Sequence, residues 1–214
     1  MSRTATEAER LAAGASTLGL ELDPAQTTAL LSHLELLYRW NPSAGLTAVA
    51  AGDAVRLHLL DSLSLAPHVD SGGKLVDLGS GGGFPGLPLA LALPGLEVEL
   101  VESRRRCCSF LAEAIVGLGL SGRATVSQAD AHGLAGPYRT VVSRAFLPPP
   151  QLVRLATGLL EPGGRVLVMC SGRPELGGQE LAQQSGGLKV EAEERLSLPG
   201  GDEGRSILVL VRPL

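Results

Sequence analysis

Hydrophobic residues follow a helical spacing over the first third of the chain. Leucine and alanine recur on one face of residues 4–18, 24–40 and 53–65, with polar positions between them. The pair Asp23-Pro24 is a start signal for the second of these segments, because an acidic N-cap followed by proline suits the first helical turn. The pair Asn41-Pro42 predicts its end. Residues 1–70 are therefore expected to be helical.

From residue 71 onward, short apolar runs alternate with helical patterns. Strands are predicted at residues 75–78, 97–102, 124–127, 140–143 and 165–169. Helices are predicted at residues 87–93, 110–118, 151–160 and 175–184. Strands that alternate with helices in this way favour a mostly parallel, doubly wound sheet.

The end of the chain has a different pattern. Residues 189–198 and 206–211 are both strand-like and are joined by the turn-forming stretch 199–204, which predicts an antiparallel hairpin. A Pro-Gly-Gly turn at 162–164 is expected to precede the fifth strand. We therefore expect an α/β fold with a Rossmann-like sheet domain at 71–214 and a helical extension, residues 1–70, packed on it.

Composition narrows the class of protein. The chain has 214 residues, of which 44% are hydrophobic, which is enough for one sizeable core. The longest apolar runs are far shorter than the ~20 residues of a membrane span, and the start carries no apolar signal segment, so a cytoplasmic protein without membrane contact is expected. Three cysteines without Cys/His clustering predict no metal site.

Charge argues against indiscriminate nucleic-acid binding, because the formal net charge is −4. A local basic face is still compatible with this total. Only Lys74 and Lys189 are lysines among 18 basic residues, so nearly all positive charge is guanidinium, which binds phosphate in a bidentate manner or stacks on bases.

The candidate chemistry begins where the first predicted strand ends. Residues 74–86 combine a buried apolar run, Asp77, and a cluster of glycines that lets the backbone approach a ligand closely. Two cofactor classes compete at this turn. The stretch from Gly81 to Gly86 matches the dinucleotide spacing G-x-G-x-x-G, but it begins three residues after Leu78 and contains Pro85.

A second pattern fits the strand end better. Asp77-x-Gly79-x-Gly81 continues to a third alternate glycine and resembles motif I of class I S-adenosylmethionine-dependent methyltransferases. Glu102 follows at the end of the second strand, where an acid accepts hydrogen bonds from ribose hydroxyls in either cofactor class. Asp130, at the end of the third strand, stands where such methyltransferases commonly contact the adenine amino group.

Two further motifs flank motif I. Arg56-x-His58-x-x-Asp61-Ser62 precedes it, and Ser143-Arg144-Ala145-Phe146 ends the fourth predicted strand. Together with the Gly-Phe-Pro-Gly end of motif I, they make nearly the whole chain resemble the bacterial ribosomal RNA guanine-N7 methyltransferases of the glucose-inhibited-division-protein-B family. The resemblance implies a class I fold, S-adenosyl-L-methionine as cofactor and N7 of one guanine in small-subunit (16S) ribosomal RNA as the target.

The resemblance also implies site residues. Cofactor contacts are expected from eight residues: Asp77, Gly79, Gly81, Phe84, Glu102, Ala129, Asp130 and Arg144. A second group is expected on the side of the RNA: Asn41, Arg56, His58, Asp61 and Arg205. No catalytic base is assigned, because guanine N7 has a free lone pair and no proton to lose, so positioning suffices. The expected partner is ribosomal RNA or the small subunit, and the enzyme is expected to be monomeric.

The chain departs from the family pattern at three places. Gly45 stands where an Asn usually precedes Leu-Thr, Gln128 replaces a common Arg, and Ser171 lies in a segment that commonly ends Lys-Gly. Two alternatives remain open from the residues: a class I methyltransferase that acts on a small molecule or a protein, and a noncatalytic module that binds RNA or cofactor.

Overall fold

The computed structural model of the protein describes residues 3–144, 146–171, 175–198 and 204–214. Ala145, Gly172 and most of the predicted hairpin connection lie outside the described residues. The helices are α1 (Arg3–Thr17), α2 (Pro24–Ala44), α3 (Asp61–Leu63), α4 (Gly86–Ala92), α5 (Arg105–Gly117), α6 (Pro149–Leu159) and α7 (Gly178–Ser185). The strands are β1 (Lys74–Leu78), β2 (Glu97–Glu102), β3 (Ala124–Gln128), β4 (Tyr138–Ser143), β5 (Leu160–Ser171), β6 (Lys189–Ser197) and β7 (Gly204–Val211).

One seven-stranded sheet has the order β3-β2-β1-β4-β5-β7-β6. Strands β1 to β5 run parallel, and β7 pairs antiparallel with both β5 and β6. The predicted parallel sheet and C-terminal antiparallel hairpin are thus confirmed. Because β7 inserts beside β5, the outer edge of the sheet is β6.

The predicted end of α2 is wrong. The helix continues through Asn41-Pro42 to Ala44, because a proline in the last turn removes only one intrahelical hydrogen bond. It ends at Gly45, which has φ 58° and ψ 52° and donates its N–H to the carbonyl of Asn41 at 2.9 Å. The left-handed conformation explains the Gly45 departure, since glycine and asparagine are the two residues that commonly end helices in this way.

The predicted helix at 53–65 is irregular. It comprises a 3-10 turn (Ala51–Asp53), a π-helical turn (Val55–Leu60) and α3. The turn predicted at 162–164 does not precede β5 but lies within it as an irregularity. β5 already pairs with β4 at Leu160 and regains regular register at Arg165. Gly163, with φ 76°, accommodates this bulge.

Two hydrophobic clusters lie on the two faces of the sheet. Neighbouring residues of each central strand alternate between them, as the period of a strand requires: Leu75 packs in one cluster and Val76 in the other. The larger cluster contains residues of α1, α2 and the 54–69 segment together with α4 and α5. We therefore propose that the boundary near residue 70 separates two architectures within one shared core. No helix in the described ranges has both the length and the apolar character needed to cross a bilayer.

A polar cluster around Glu99 links β1, β2, β3 and β4. Glu99 on β2 accepts hydrogen bonds from the hydroxyls of Ser127 at 2.6 Å and Tyr138 at 2.9 Å. The ammonium of Lys74 lies 3.3 Å from the same carboxylate and 4.9 Å from the centre of the Tyr138 ring. Burial alone would raise the pKa of Glu99, but these hydrogen bonds outweigh burial and lower it.

Replacing Glu99 is therefore expected to make stability less dependent on pH. A lowered folded-state pKa contributes stability above the ordinary value of 4.5, and this contribution is lost as the pH falls below it. Glu99→Gln should lower the free energy of unfolding at neutral pH by about 1 to 3 kcal/mol, and much less under acid conditions. Urea unfolding at both pH values measures this, with exposed Glu97→Gln as the control from the same strand. An equal loss in acid would contradict the assignment.

Candidate functional site

The glycine turn after β1 is held against the end of β2. The N–H groups of Gly79 and Ser80 both donate to the carbonyl of Val101, at 2.9 and 3.1 Å. Gly79 and Gly81 have φ of 73° and 52°, a conformation that side chains rarely tolerate. A Cβ on Gly79 would also overlap the ring of Phe146. Glycine is therefore required by sterics at Gly79 and favoured by backbone conformation at Gly81.

Glu102 fixes the turn from the neighbouring strand. Its carboxylate accepts the N–H of Gly81 at 3.0 Å with one oxygen and the N–H of Arg104 at 2.9 Å with the other. Glu102 is only 6% exposed, although it stands at the end of a strand. The acid therefore sets the backbone of the turn and also presents its oxygens beside it.

A cavity of about 70 Å³ opens next to this carboxylate. Residues from the ends of β1, β2 and β3 line it: Gly79, Val101, Glu102, Ser103, Ala129, Asp130 and Ala131, with Phe146 as a further wall. Four of the predicted cofactor residues are thus brought together at one edge of the sheet. The Asp130 side chain is 76% exposed at the rim and lies 2.9 Å from Nδ1 of His132.

Asp77 lies beneath the turn and does not line this cavity. It is fully buried, and one carboxylate oxygen accepts the N–H of Gly86 at 3.0 Å. Within the described part of the chain, the other oxygen, Oδ1, has no hydrogen-bond partner. Burial raises the pKa of Asp77 to about 7, against the opposing effect of the Gly86 hydrogen bond. Asp77 thus fastens the start of α4 to the end of β1.

The Phe84 ring is the centre of a stack beneath the turn. It is 3% exposed and lies 4.5 Å from the His33 ring and 4.4 Å from the His58 ring, centre to centre. The guanidinium carbon of Arg144 lies 4.9 Å from the centre of the same ring. A cofactor contact at Phe84 would therefore have to involve its backbone.

Arg144 is held by the π-helical turn and by α3. Its guanidinium donates to the carbonyl of Leu57 and to Nδ1 of His58, both at 3.1 Å, and lies 3.5 Å from a carboxylate oxygen of Asp61. The second oxygen of Asp61 accepts a hydrogen bond from Nε of Arg205 at 2.7 Å. We call His58, Asp61, Arg144 and Arg205 the arginine network.

The arginine network joins one predicted cofactor residue to three residues predicted on the RNA side. His58 and Asp61 are 3% and 4% exposed, so neither offers its side chain to an RNA phosphate in this conformation. Their burial instead favours a role in supporting Arg144. Arg205 retains 14% side-chain exposure at the start of β7.

The other two residues predicted on the RNA side lie outside this network. Asn41 shapes the loop after α2: its side chain accepts the N–H groups of Leu46 and Thr47 and donates to the carbonyl of Thr47. Arg56 lies 3.8 Å from Asp53 and lines a groove of about 380 Å³ against α1, which shares no lining residue with the cavity beside Glu102.

The arginine run at the start of α5 is partly structural. Arg104 lies 3.6 Å from Glu102, and Arg106 donates to the carbonyl of Ser43 at 2.7 Å near the end of α2. Because cations are disfavoured at a helix N-terminus, these contacts help to explain the placement of Arg104 and Arg106. All three arginines are exposed, and among the described residues Arg105 has no such contact to explain its placement.

His33 is a residue of this site that sequence reasoning missed. It is fully buried, and its Nε2 lies 2.8 Å from the carbonyl of Gly82, which can only accept. Burial lowers the pKa of His33 to about 4, so the ring is neutral. Its signal was its position among Leu30, Leu34 and Leu37 on the apolar face of α2.

No group of three or more His, Cys, Asp or Glu side chains that could hold a metal ion occurs in the described ranges. The three cysteines are free thiols: Cys107 and Cys108 are buried, and Cys170 is half-buried.

Solved structures of other proteins share this fold. TYW2 of P. horikoshii, solved in complex with MeSAdo, superposes with a TM-score of 0.58 at 15% identity over 71% of this chain and 61% of its own. The cyclase SpnF gives a TM-score of 0.61 at 17% identity over 91% and 98%. At such identities the likeness shows the fold alone, and the two activities differ.

Sequence relatives are far more similar. Ribosomal RNA small subunit methyltransferase G of Stenotrophomonas maltophilia (strain K279a) is 40% identical over 211 residues, which are 98% of this chain and 97% of that protein. The protein of the same name from Ralstonia nicotianae (strain ATCC BAA-1114 / GMI1000) is 38% identical over 214 residues, 94% and 93% of the two chains.

A family model described as rRNA small subunit methyltransferase G matches residues 26–208, a range that contains the glycine turn and the whole arginine network. With the full-length relatives, this match shows that the chain belongs to the rRNA small subunit methyltransferase G family.

Proposed function

We propose that the protein transfers a methyl group from S-adenosylmethionine to N7 of one guanine in small-subunit ribosomal RNA. The observation that carries the proposal is the buried Glu102 carboxylate at the wall of a cavity shared by the ends of β1, β2 and β3. Family membership supplies the class of reaction and of RNA. The choice of N7 rests on the sequence motifs.

The residues at the sheet edge fit this cofactor. Gly79 and Gly81 leave a cradle that a side chain would fill, and Glu102 offers carboxylate oxygens for ribose hydroxyls. Asp130, at the rim, would accept from the adenine amino group, with the backbone of Ala129 beside it. The cavity is smaller than the roughly 300 Å³ of typical ligand sites, so binding would require the exposed Phe146 side chain to rotate outward.

The cofactor supplies an electrophilic methyl group on a sulfonium, and guanine N7 supplies a lone pair. Because no proton leaves N7 before attack, the protein needs to orient the two groups and to exclude competing nucleophiles, and it needs no general base. The two histidines nearest the turn are poor general bases, because burial lowers the pKa of His33 to about 4 and that of His58 to about 3. Both are neutral at physiological pH.

We assign two arginines to the RNA side. Arg205 keeps part of its side chain exposed at the start of β7, and the exposed Arg105 adds positive charge at the start of α5. We propose that these groups contact RNA phosphates in a chain whose total charge is −4. Asn41 and Arg56 would act through the loop and the groove that they shape. A monomer in the cytoplasm is the proposed working form.

The purified protein should methylate small ribosomal subunits or their RNA when these lack the modification. Labelled S-adenosylmethionine supplies the methyl group, and nucleoside digestion of the product should place the label in N7-methylguanosine. Label at another nucleobase position would contradict the N7 assignment. Cofactor binding without transfer to any small-subunit RNA or particle would favour the noncatalytic alternative, and transfer indifferent to RNA would favour a different substrate.

Glu102→Ala should weaken binding of S-adenosylmethionine by about 1.5 to 3 kcal/mol, because a hydrogen bond to a charged group is lost and the Gly81 turn loosens. Titration calorimetry on the purified variant measures this. Glu113→Gln, an exposed change on α5, is the control and should bind like the unmodified protein. Unchanged affinity in a folded Glu102→Ala variant would remove Glu102 from the site.

A further inference from the structure

The hydrogen bonds of His58 define which ring nitrogen carries its proton. Nδ1 lies 3.1 Å from Nη2 of Arg144, and a guanidinium can only donate. Nδ1 must therefore be an acceptor without hydrogen. Nε2 lies 2.8 Å from the hydroxyl oxygen of Thr47, so the proton of the neutral ring sits on Nε2 and is donated to Thr47.

Thr47 is itself fixed for this role. Its hydroxyl oxygen also accepts the N–H of Val49 at 3.0 Å, and the backbone of Thr47 is held by the side chain of Asn41. The loop after α2 thus presents an acceptor to His58 in a set orientation. Asn41 therefore acts on the site through Thr47, although among the described residues it contacts no member of the arginine network directly.

The surroundings of His58 oppose a second proton on the ring. Arg144 from the end of β4 and His33 from α2 face it, Phe84 stacks on it, and Asp61 follows on its own segment. The two oxygens of Asp61 are already directed to Arg144 and Arg205, so Asp61 gives His58 no counter-charge of its own. A proton on Nδ1 would point directly at the Arg144 guanidinium. Burial, then Arg144 and His33, lowers the pKa of His58 to about 3, against the opposing effect of the Leu57 backbone.

We propose that His58 is a positioning residue that works only as the neutral Nε2–H tautomer, accepting a hydrogen bond from Arg144 and thereby holding that guanidinium over Phe84 at the cofactor turn. In this role His58 transfers no proton and does not contact RNA. The significance of Arg144 for the cofactor rests on the proposed function, whereas the tautomer of His58 is a property of the free protein.

The backbone of segment 57–61 supports this positioning role. Leu57, His58 and Asp61 supply a carbonyl, an imidazole and a carboxylate to one guanidinium within five residues of chain. Leu57 and His58 belong to the π-helical turn, an irregularity that is frequent at functional sites because it redirects neighbouring groups. His58 differs from the other two anchors because its acceptor for Arg144 exists only in one tautomer of the neutral ring.

Nitrogen-15 NMR of the imidazole groups in the free protein tests the tautomer directly. The expected His58 signals are those of a protonated Nε2 and an unprotonated, hydrogen-bonded Nδ1, with no titration between about pH 5 and 8. His68 serves as the comparison, because among the described residues its ion pair is with Glu194 of β6. Its signal is identified by its loss in the His68→Gln variant. Titration of His58 near its ordinary value of 6.5, or a proton on Nδ1, would overturn the proposal.

Two variants test the consequence for the cofactor. His58→Asn keeps an oxygen where Nδ1 accepts from Arg144, whereas His58→Phe keeps a ring against Phe84 and loses the acceptor. S-adenosylmethionine should bind the Phe variant about tenfold or more weakly, with most of the affinity retained in the Asn variant. Equal affinities, or a tighter Phe variant, would contradict the acceptor role.

The two kinds of measurement separate this proposal from the proposed function. If the unmodified protein bound no S-adenosylmethionine, the proposed function would fail, and the NMR measurement would still decide the tautomer. If the protein bound the cofactor but His58 titrated normally, the proposed function would stand and the positioning role would fail.

Discussion

The burial of one cation, Arg144, is the constraint on which the site depends. Its side chain is only 23% exposed, and an unpaired charge is costly when it is buried. The segment 57–61 supplies three acceptors to it, and the ring of Phe84 lies beneath it. Asp61 also accepts a hydrogen bond from Arg205, which connects the Arg144 contacts to β7. The helical extension, the glycine turn, β4 and the C-terminal hairpin are thereby tied at one place.

This arrangement gives the N-terminal extension a part in the site. A class I sheet already offers a glycine turn and strand-end acids, and here Glu102 grips the backbone of Gly81 to set that turn. The extension adds His33 and His58 around Phe84 and the carboxylate of Asp61. It shares its hydrophobic cluster with α4 and α5, so the groups that orient Arg144 are held by the same core as the turn.

The sequence allowed some of this to be predicted, for identifiable reasons. The mostly parallel sheet and the hairpin follow from the alternation of strand and helix patterns, and the turn follows from glycines, of which Gly79 and Gly81 adopt positive φ. The end of α2 could not be predicted correctly, because Pro42 is tolerated in a last turn that Gly45 terminates. The pairing of Asp61 with Arg205 joins residues 144 positions apart, and no local pattern reports such a contact. His33 had only a weak signal, a polar residue among leucines.

A double-mutant cycle between Asp61 and Arg144 tests the central claim most directly. Asp61→Asn, Arg144→Met and the double variant would be compared by the free energy of S-adenosylmethionine binding in folded, purified protein. If the two residues act through one network, the effects are non-additive, with a coupling of about 0.5 to 3 kcal/mol. Effects that add to within about 0.3 kcal/mol would show that Asp61 does not position Arg144 for the cofactor.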